Sequence, residues 1–366
     1  MPVSRVPRSR QGRIPVKIIT ADEYLTRYGG RGAALRTEAY GQNGEPFWFY
    51  RIDNAALFGR YPTCLPYHDG GYGALVLDES DNYNGTQKVL AYNVATSANG
   101  DCVPILARAD NCALLFQHWT DRFWHWITEA LPKVIVLEDN GFTGNYIVPA
   151  KNDFVAQSMA MLGIAPDRLV CYSPNMAVTN LVITQKLMGV YNLKAYPGLM
   201  VALRRRLLAG SGAGKDPGGH DRVYIRRTHR RKIVNEEALQ ALLQRFGFHT
   251  LVAEQLPLDQ QIRAMAGARC LVSPHGAGVL HCIFMPEGST IVEMFNPNYI
   301  NPVMLPFIRL LRHHYHMVPS LKIVTPSAQD PGNPVTPDDD IEAFLEVVET
   351  VLTTALEPRQ PDVPSL

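Results

Sequence analysis

From residue 222 onward, strand-like apolar runs alternate with helical segments, and this alternation constrains the fold more than any other feature. The runs occupy residues 222–225, 249–253, 269–272 and 289–293. Helices are predicted over residues 236–246 and 259–266. Strands separated by helices pair in parallel through crossover connections, so the pattern predicts a doubly wound parallel sheet. Ligands on such sheets bind outside the carboxyl ends of the strands.

A turn of small residues follows the third of these strands. Pro274 ends the apolar run, and the next four residues, which lead into a predicted helix, are His275, Gly276, Ala277 and Gly278. Glycine lets the backbone approach a ligand closely, and the free N–H groups at a helix start favour phosphate. The same pattern is also typical of a tight strand-to-helix connection without a ligand, so both interpretations stay open.

Charged residues stand at the ends of two other strands. A basic run at residues 226–232 follows the first strand, and Glu293 closes the fourth. The strand-end rule allows both to converge on the glycine turn. Guanidinium groups suit a diphosphate, and a carboxylate suits ribose or sugar hydroxyls. The alternatives are a solvated basic loop, a surface carboxylate and, for His275, a residue that only fills the turn.

A second candidate site lies in residues 121–139, where apolar residues recur near helical spacing. The spacing predicts a helix that Pro132 kinks or restarts. His125 and Glu129 are four positions apart and therefore share a face. Such a pair can act as a general base and the group that orients it, or it can be a buried histidine in an ordinary helical pair. Trp124 and Trp126 are interpreted as core residues.

Composition and motif spacing exclude several function classes. The formal net charge of +1 argues against a nucleic-acid partner, which usually requires a strongly basic domain. No apolar run approaches the roughly 18 residues of a membrane span, so no transmembrane segment is predicted. Six scattered cysteines without Cys-x-x-Cys spacing favour a cytoplasmic location. The histidine cluster at 313–316 lacks a carboxylate pattern and is interpreted as an exposed loop or strand, so no metal site is predicted.

Four short motifs occur in a fixed order between about residues 113 and 305. They are Phe-Trp-His-Trp-Ile-Thr-Glu-Ala-Leu-Pro-Lys at 123–133, Val-Tyr-Ile-Arg-Arg at 223–227, Arg-Lys-Ile-Val-Asn-Glu at 231–236 and Pro-His-Gly-Ala-Gly at 274–278. Together they resemble glycosyltransferase family 61. The chain departs from the family pattern at Arg226 (usually serine), Lys133 (usually arginine) and His281 (usually asparagine), and the last change puts base or ribose recognition in doubt.

The resemblance implies an α/β protein of GT-B architecture, with two Rossmann-like domains facing a central cleft. It implies an inverting hexosyl- or pentosyltransferase of polysaccharide biosynthesis that uses a nucleotide-sugar donor and requires no metal or other cofactor. The acceptor would be a glycan or a lipid-linked glycan, which allows a peripheral position at the inner membrane face. The open alternative is a non-catalytic nucleotide- or glycan-binding protein of the same fold.

Candidate site residues follow from the motifs and the resemblance. Glu129 and His125 are the candidate catalytic pair, and which of them removes the acceptor proton is left open. The residues expected at the donor are Arg227, Arg231, Asn235, Glu236, His275, Gly276, Ala277, Gly278 and Glu293. Arg227 and Arg231 are expected near the donor phosphates.

The 366 residues exceed one typical core, so two domains are expected. Residues 1–195 are assigned to an acceptor-side domain with an irregular β-rich opening, and residues 196–220 to a helix and a flexible linker. Residues 221–335 are assigned to the donor-binding domain, and residues 336–366 to a C-terminal helix and tail. That helix is predicted to begin at Pro337 and is expected to brace the first domain.

Overall fold

The structure is a computed structural model that describes a large part of the chain. The described residues are 16–20, 31–35, 47–58, 62–68, 71–76, 107–117, 119–149, 152–174, 176–184, 187, 196–214, 219–296, 299–320 and 340–356. The chain divides into two compact units, unit 1 (Met1–Arg206) and unit 2 (Leu207–Leu366).

The described residues of unit 1 form a nine-stranded mixed sheet. Its strands are β1 (Val16–Thr20), β2 (Arg31–Leu35), β3 (Phe47–Phe58), β4 (Thr63–His68), β5 (Gly71–Val76), β6 (Ala107–Leu114), β7 (Asn145–Val148), β8 (Leu169–Cys171) and β9 (Met176–Thr184). The order is β1-β5-β4-β3-β9-β6-β7-β8, with β2 also paired to β3. Strand β6 pairs in parallel with β7 and β9, whereas β3 pairs antiparallel with β9. The β-rich opening predicted for the N-terminal residues therefore includes strands of this sheet.

The predicted helix over residues 121–139 is interrupted by a π-helical turn. Helix α1 (Phe123–His125) leads into the turn Trp126–Ala130, and helix α2 (Leu131–Asp139) follows with Pro132 in its first turn. The fully buried Trp126 ring donates from Nε1 to Ser158 Oγ at 2.8 Å, which satisfies its single donor. This bond fastens the π turn to helix α3 (Asp153–Met161), and it confirms Trp126 as a core residue.

Two further helical segments complete the described part of unit 1. A short 3-10 helix spans Pro166–Arg168. Helix α4 (Pro197–Gly210), which was predicted from the sequence, begins in unit 1 and ends in unit 2. The guanidinium of Arg206 donates to both carboxylate oxygens of Asp139, so α4 is tied to the end of α2.

Unit 2 contains a five-stranded sheet that is parallel throughout its described strands. The strands are β10 (Arg222–Ile225), β11 (His249–Leu251), β12 (Cys270–Pro274), β13 (Thr290–Phe295) and β14 (His314–Pro319). Their order is β11-β10-β12-β13-β14, so the chain winds one way from β10 to β11 and the other way from β12 onward. The doubly wound sheet predicted from the sequence is confirmed, and its switch point lies between β10 and β12.

Two helices of unit 2 agree with the predicted ones, and the segment after the glycine turn does not. They are α5 (Glu236–Arg245), α6 (Leu258–Ala266), α7 (Leu305–Leu310) and α8 (Leu345–Leu356), with a short 3-10 helix at Ala253–Gln255. The segment Ala277–Phe284 is a 3-10 helix rather than the ordinary helix that the pattern suggested. Its residues from Val279 to Phe284 are all buried, so apolar burial rather than amphipathic periodicity holds this tight segment.

The predicted start of the C-terminal helix is wrong. Thr336 and Pro337 lie outside the described residues, and helix α8 begins only at Leu345. Before it, Ile341 forms a parallel bridge with Ile233, which removes its backbone from helical hydrogen bonding. Helix α8 packs against α5 and β14 and contributes to the hydrophobic core of unit 2. The expected bracing of the first domain stays a prediction.

Candidate functional site

Four of the predicted donor residues meet at the switch point of the unit 2 sheet. Arg227 and Arg231 lie in the loop after β10, and His275 and Gly276 follow β12. Strands β10 and β12 are direct neighbours, so their carboxyl ends open on the same crevice. This is the position at which doubly wound sheets bind ligands.

Gly276 lies directly beneath two guanidinium groups. Its backbone has φ 143° and ψ −164°, a conformation that is essentially restricted to glycine. A Cβ at this position would overlap the guanidinium of Arg227 and would lie 3.1 Å from Nη1 of Arg231. Two cations therefore converge on one bare stretch of backbone. Because like charges repel, an anion bound between them would lower the electrostatic energy.

The loop that carries both arginines is ordered by specific contacts. Arg227 donates from Nε to the Arg230 carbonyl at 2.7 Å, and Arg231 donates from Nη1 to the His275 carbonyl at 3.2 Å. The Arg231 guanidinium also lies 5.9 Å from the centre of the Tyr299 ring. Arg227 and Arg231 are half-buried, whereas Arg226 is exposed. These contacts argue against the alternative interpretation of the basic run as a solvated loop.

Glu293 holds His275 rather than facing the crevice. The Glu293 side chain is fully buried, and its Oε1 lies 2.5 Å from Nδ1 of His275. Its second oxygen, Oε2, accepts a hydrogen bond from the hydroxyl of Tyr315 at 2.6 Å. Burial and the Glu293 charge raise the pKa of Tyr315, so this hydroxyl keeps its proton. Both carboxylate oxygens are therefore engaged inside the protein, which corrects the expectation that Glu293 contacts ribose or sugar hydroxyls.

The Glu293 contact also fixes the orientation of the imidazole. A carboxylate oxygen only accepts hydrogen bonds, so Nδ1 of His275 carries a hydrogen and Nε2 is the remaining ring nitrogen. The ring stacks on Phe295 with centroids 4.8 Å apart. His275 is thereby held by a carboxylate and an aromatic ring. Tyr315, which holds that carboxylate in turn, was not among the residues predicted for the site.

Asn235 and Glu236 have partners elsewhere in unit 2. The Asn235 amide exchanges two hydrogen bonds with the backbone of Ala343. Asn235 occupies the N-cap position of α5, but its side chain makes no capping bond. Glu236 accepts from the Tyr224 hydroxyl at 3.1 Å and from Nε2 of Gln240 at 2.7 Å. The sequence predicted that both side chains contact the donor. In the structure, their hydrogen bonds instead support the loop that carries Arg227 and Arg231.

The remaining motif residues build the floor of the turn. Ala277 begins the 3-10 helix, and a Cβ on Gly278 would lie 3.0 Å from the Ile225 side chain, so the small residue allows close packing on β10. His281 is buried, with Nδ1 2.9 Å from the Gly278 carbonyl and Nε2 2.7 Å from Oε1 of Gln261. The departure from the family's asparagine thus lies at an internal position that ties the 3-10 helix to α6.

The stability of the protein should fall as the pH drops below about 6.5, the ordinary pKa of histidine. Burial lowers the pKa of His249, as does the charge of His220, whose ring stacks on it at 3.7 Å. Burial also lowers the pKa of His281. With folded-state pKa values below the unfolded ones, the unfolded chain binds more protons in this range, so stability decreases on acidification. We expect a lower urea midpoint by circular dichroism at pH 5.5 than at pH 7.5.

The control for this pH dependence is a double variant, His249→Asn with His281→Asn. It should show a smaller difference between the two midpoints, because the groups that take up protons on unfolding are gone. If the difference between the urea midpoints at the two pH values is the same as in wild type, the pH dependence comes from other groups.

The second candidate pair, in unit 1, has the predicted geometry. Nδ1 of His125 lies 2.8 Å from Oε1 of Glu129, and the two side chains are 24% and 10% exposed. Both residues lie at the π turn, a feature that is frequent at functional sites. As with His275, the carboxylate assigns a hydrogen to Nδ1 and makes Nε2 the basic nitrogen. His125 is therefore a partly exposed, oriented imidazole rather than a buried core histidine.

An aromatic residue that the sequence reasoning missed lies beside this pair. The Trp119 ring is 5.3 Å from the His125 ring, and the residue is 47% exposed. Its backbone φ of 68° is unusual for a residue with a side chain, and the turn is closed by a hydrogen bond from the Arg122 amide to the Trp119 carbonyl. An exposed tryptophan held next to an oriented histidine offers a flat surface for a sugar ring.

Comparison with known proteins bears on the resemblance that the motifs suggested. Residues 123–292 match the family model described as Glycosyltransferase 61. The resemblance to glycosyltransferase family 61 is confirmed. The matched segment includes the His125 pair, the loop that carries Arg227 and Arg231, and the glycine turn, and it ends one residue before Glu293.

Curated relatives share a shorter region with this chain. Each of three is named protein O-linked-mannose beta-1,4-N-acetylglucosaminyltransferase 2. The dog protein is 38% identical over 95 residues, the human protein 38% over 90, and the zebrafish protein 40% over 81. The matches cover 25%, 24% and 21% of this chain but only 16%, 15% and 14% of the relatives. The relatives' names agree with the predicted enzyme class.

Metal and membrane sites are the remaining features to consider in the described residues. In the ranges that the structure describes, no group of three or more histidine, cysteine, aspartate or glutamate side chains could hold a metal ion. Among the same residues, no helix is both long and apolar enough to cross a membrane. The independence from metals and the cytoplasmic location stay predictions.

Proposed function

We propose that this protein is a glycosyltransferase that moves a sugar from a nucleotide-sugar donor to a hydroxyl group of a glycan acceptor. The observation that carries the proposal is the pair of guanidinium groups over the bare backbone of Gly276, at the switch point of a parallel sheet. The match of residues 123–292 to a glycosyltransferase family supports the same chemistry.

On the donor side, the crevice supplies positive charge where the leaving diphosphate needs it. Arg227 and Arg231 can form charge-assisted hydrogen bonds to phosphate oxygens, and Gly276 allows the phosphates to approach the backbone. In a transferase the diphosphate gains negative charge as its bond to the sugar breaks, and preorganised cations stabilise that charge. These groups would do the work that a metal ion does in metal-dependent transferases, so no metal is required in this proposal.

On the acceptor side, His125 is the proposed base and Glu129 the group that orients it. The Nε2 atom would take the proton of the acceptor hydroxyl while Glu129 stabilises the resulting imidazolium through Nδ1. The acceptor oxygen would form a bond to the anomeric carbon from the face opposite the diphosphate, whose bond to that carbon breaks. The product would therefore have inverted anomeric configuration. Trp119 would support the acceptor ring.

The proposal also includes the predicted GT-B arrangement, the predicted acceptor and the predicted location in the cell. A GT-B arrangement is supported by the parallel-rich sheet in each of the two units, and it would bring base and donor together across a cleft. A glycan or lipid-linked glycan acceptor and a cytoplasmic location, free or at the inner membrane face, complete it.

A turnover assay with a panel of nucleotide sugars tests the function. The panel should include donors of N-acetylglucosamine, because the relatives' names specify that sugar, and each donor should be tried with and without chelator. We expect transfer or slow hydrolysis with one donor class, unaffected by chelator, and a product of inverted configuration by NMR. Loss of turnover with chelator would contradict the metal-free mechanism. Binding of a nucleotide sugar without any turnover would favour the non-catalytic alternative.

A further inference from the structure

The arginine loop is held from behind by a segment more than 100 residues away in the sequence. We call residues 226–235 the arginine loop and residues 340–343, which precede α8, the C-terminal clasp. The amide of Ile341 donates to the Lys232 carbonyl at 2.7 Å, and the amide of Val234 donates to the Ile341 carbonyl at 2.9 Å. These bonds form one rung of parallel β-structure between the two segments.

Side chains extend the contact at both ends of this rung. Oδ1 of Asp340 accepts from the Lys232 amide at 2.9 Å, and its other oxygen lies 3.6 Å from the Lys232 ammonium. At the other end, the Asn235 amide donates to the Ala343 carbonyl at 2.9 Å and accepts from the Ala343 amide at 2.8 Å. The side chain of Ile341 is buried in the core next to Ile233. The clasp thus fixes the loop from Lys232 to Asn235.

The residue immediately before this fixed stretch is Arg231, and its backbone is strained. Its φ of 57° lies in the left-handed region, which is unfavourable for a residue with a side chain. Such a conformation persists only where the surroundings determine it. Here both the amide and the carbonyl of the next residue, Lys232, are bonded to the clasp. The clasp therefore sets the backbone that aims the Arg231 guanidinium at His275.

We propose that the C-terminal clasp is a positioning element of the donor site, with Asn235 and Asp340 as its positioning residues. The inference rests on the proposed function, because it assumes that the crevice binds a diphosphate. Neither residue contacts the anion, and each acts by holding Arg231 over Gly276. Coupling between two sites is reciprocal, so binding of the anion must in turn stabilise the clasp.

Helix α8 gives the clasp an anchor that does not depend on these bonds. Val348 and Leu352 are fully buried, and Glu349 pairs with Arg245 of α5 at 2.7 Å. Removing the bonds of the clasp should therefore leave α8 in place. Glu349→Ala is the matched control, because it breaks a contact between the same C-terminal segment and α5 without touching the arginine loop.

The test compares three forms of the full chain: wild type, the double variant Asn235→Ala with Asp340→Ala, and Glu349→Ala. Binding of UDP, GDP and inorganic pyrophosphate is measured by calorimetry, and hydrogen exchange of residues 226–235 is followed without ligand. We expect the double variant to bind the diphosphate about tenfold more weakly, equivalent to about 1.4 kcal/mol. Its arginine loop should exchange faster. The control should match wild type in both measurements.

A conservative variant separates positioning from general destabilisation. Asp340→Asn keeps the oxygen that accepts from the Lys232 amide, so it should retain most of the affinity that Asp340→Ala loses. With saturating donor, kcat of the double variant should also fall, because a displaced Arg231 stabilises the charge on the leaving diphosphate less well, whereas kcat of Glu349→Ala should match wild type.

The outcomes distinguish this inference from the proposed function. Failure of the wild type to bind any of the three diphosphate probes would contradict the proposed function. The hydrogen-exchange measurement needs no ligand, so it tests the inference whether or not the wild type binds a probe. Unchanged exchange of the arginine loop in the double variant would overturn the inference. Diphosphate binding that is equally tight in wild type and double variant would overturn the inference while leaving the function intact.

Discussion

Replacing Arg227 with alanine should weaken binding of the nucleotide-sugar donor by about 10- to 100-fold. A hydrogen bond to a charged group contributes roughly 1.5–3 kcal/mol, and Arg227 is one of the two guanidinium groups described above Gly276. The residue lies in a half-exposed loop, so the fold should survive its removal. Calorimetric titration with the nucleoside diphosphate of the active donor measures the effect directly.

Arg226 provides the matched control for this prediction. It is the neighbouring arginine, but it is exposed and lies 3.6 Å from Glu236 of helix α5. Arg226→Ala should change donor affinity by less than about threefold, in line with the small contribution of exposed ion pairs. Equal losses in both variants would show that only the net charge of the loop matters, and the specific arrangement over Gly276 would then be wrong.

Replacing His125 with alanine should lower kcat by about 100- to 10,000-fold, the usual contribution of a general base. Donor affinity should stay unchanged, because His125 belongs to unit 1 and the proposed donor contacts belong to unit 2. Glu129→Gln should have the smaller effect of the two, since the amide still accepts from Nδ1 but no longer stabilises the imidazolium. Steady-state kinetics with saturating donor and acceptor checks both variants.

The control for the catalytic pair is another helical pair of the same spacing. Asp259 and Arg263 on α6 lie 2.8 Å apart, four residues from each other, and have no proposed catalytic role. Asp259→Asn should leave kcat at the wild-type value. A larger loss in Glu129→Gln than in His125→Ala would assign the role of base to the glutamate. Full activity in both variants would place the base elsewhere.

Local patterns were sufficient to predict much of unit 2. The alternation of apolar runs and helical segments predicted β10 to β13 and the two helices among them, because parallel strands joined by helices have few possible arrangements. The proximity of Arg227 and Gly276 was also predicted from the sequence. Both residues follow strands of one parallel sheet, and the strand-end rule requires only the order of strands and helices along the chain. The i,i+4 spacing likewise predicted the contact between His125 and Glu129.

Features that depend on distant partners could not be predicted in the same way. Glu293 was expected to face a ligand because the pattern placed it at the end of a strand, but strand β13 continues to Phe295. The direction of its side chain is set by contacts such as the one to Tyr315, 22 residues later on a strand that the sequence left undecided. Asn235 has the sequence features of an N-cap, and its true partner, Ala343, is 108 residues away. Side-chain orientation at a strand end is thus fixed by tertiary contacts that no local pattern contains.

The C-terminal helix shows the same limit. Thr336 and Pro337 before an acidic stretch are typical of a helix start, and the apolar periodicity of the following residues fits. The structure instead uses Ile341 as a bridge to Ile233 and starts α8 at Leu345. Around Ile341, the backbone forms hydrogen bonds with the arginine loop instead of the hydrogen bonds of a helix.

Hydrogen exchange of the full chain with and without the nucleoside diphosphate of its donor is the most direct test of the central claim. If the guanidinium pair over Gly276 is the diphosphate site, added ligand should slow exchange in residues 226–235 and 275–279, and Arg227→Ala should abolish the effect. Protection that appears elsewhere while both segments exchange as before would contradict the proposed donor site.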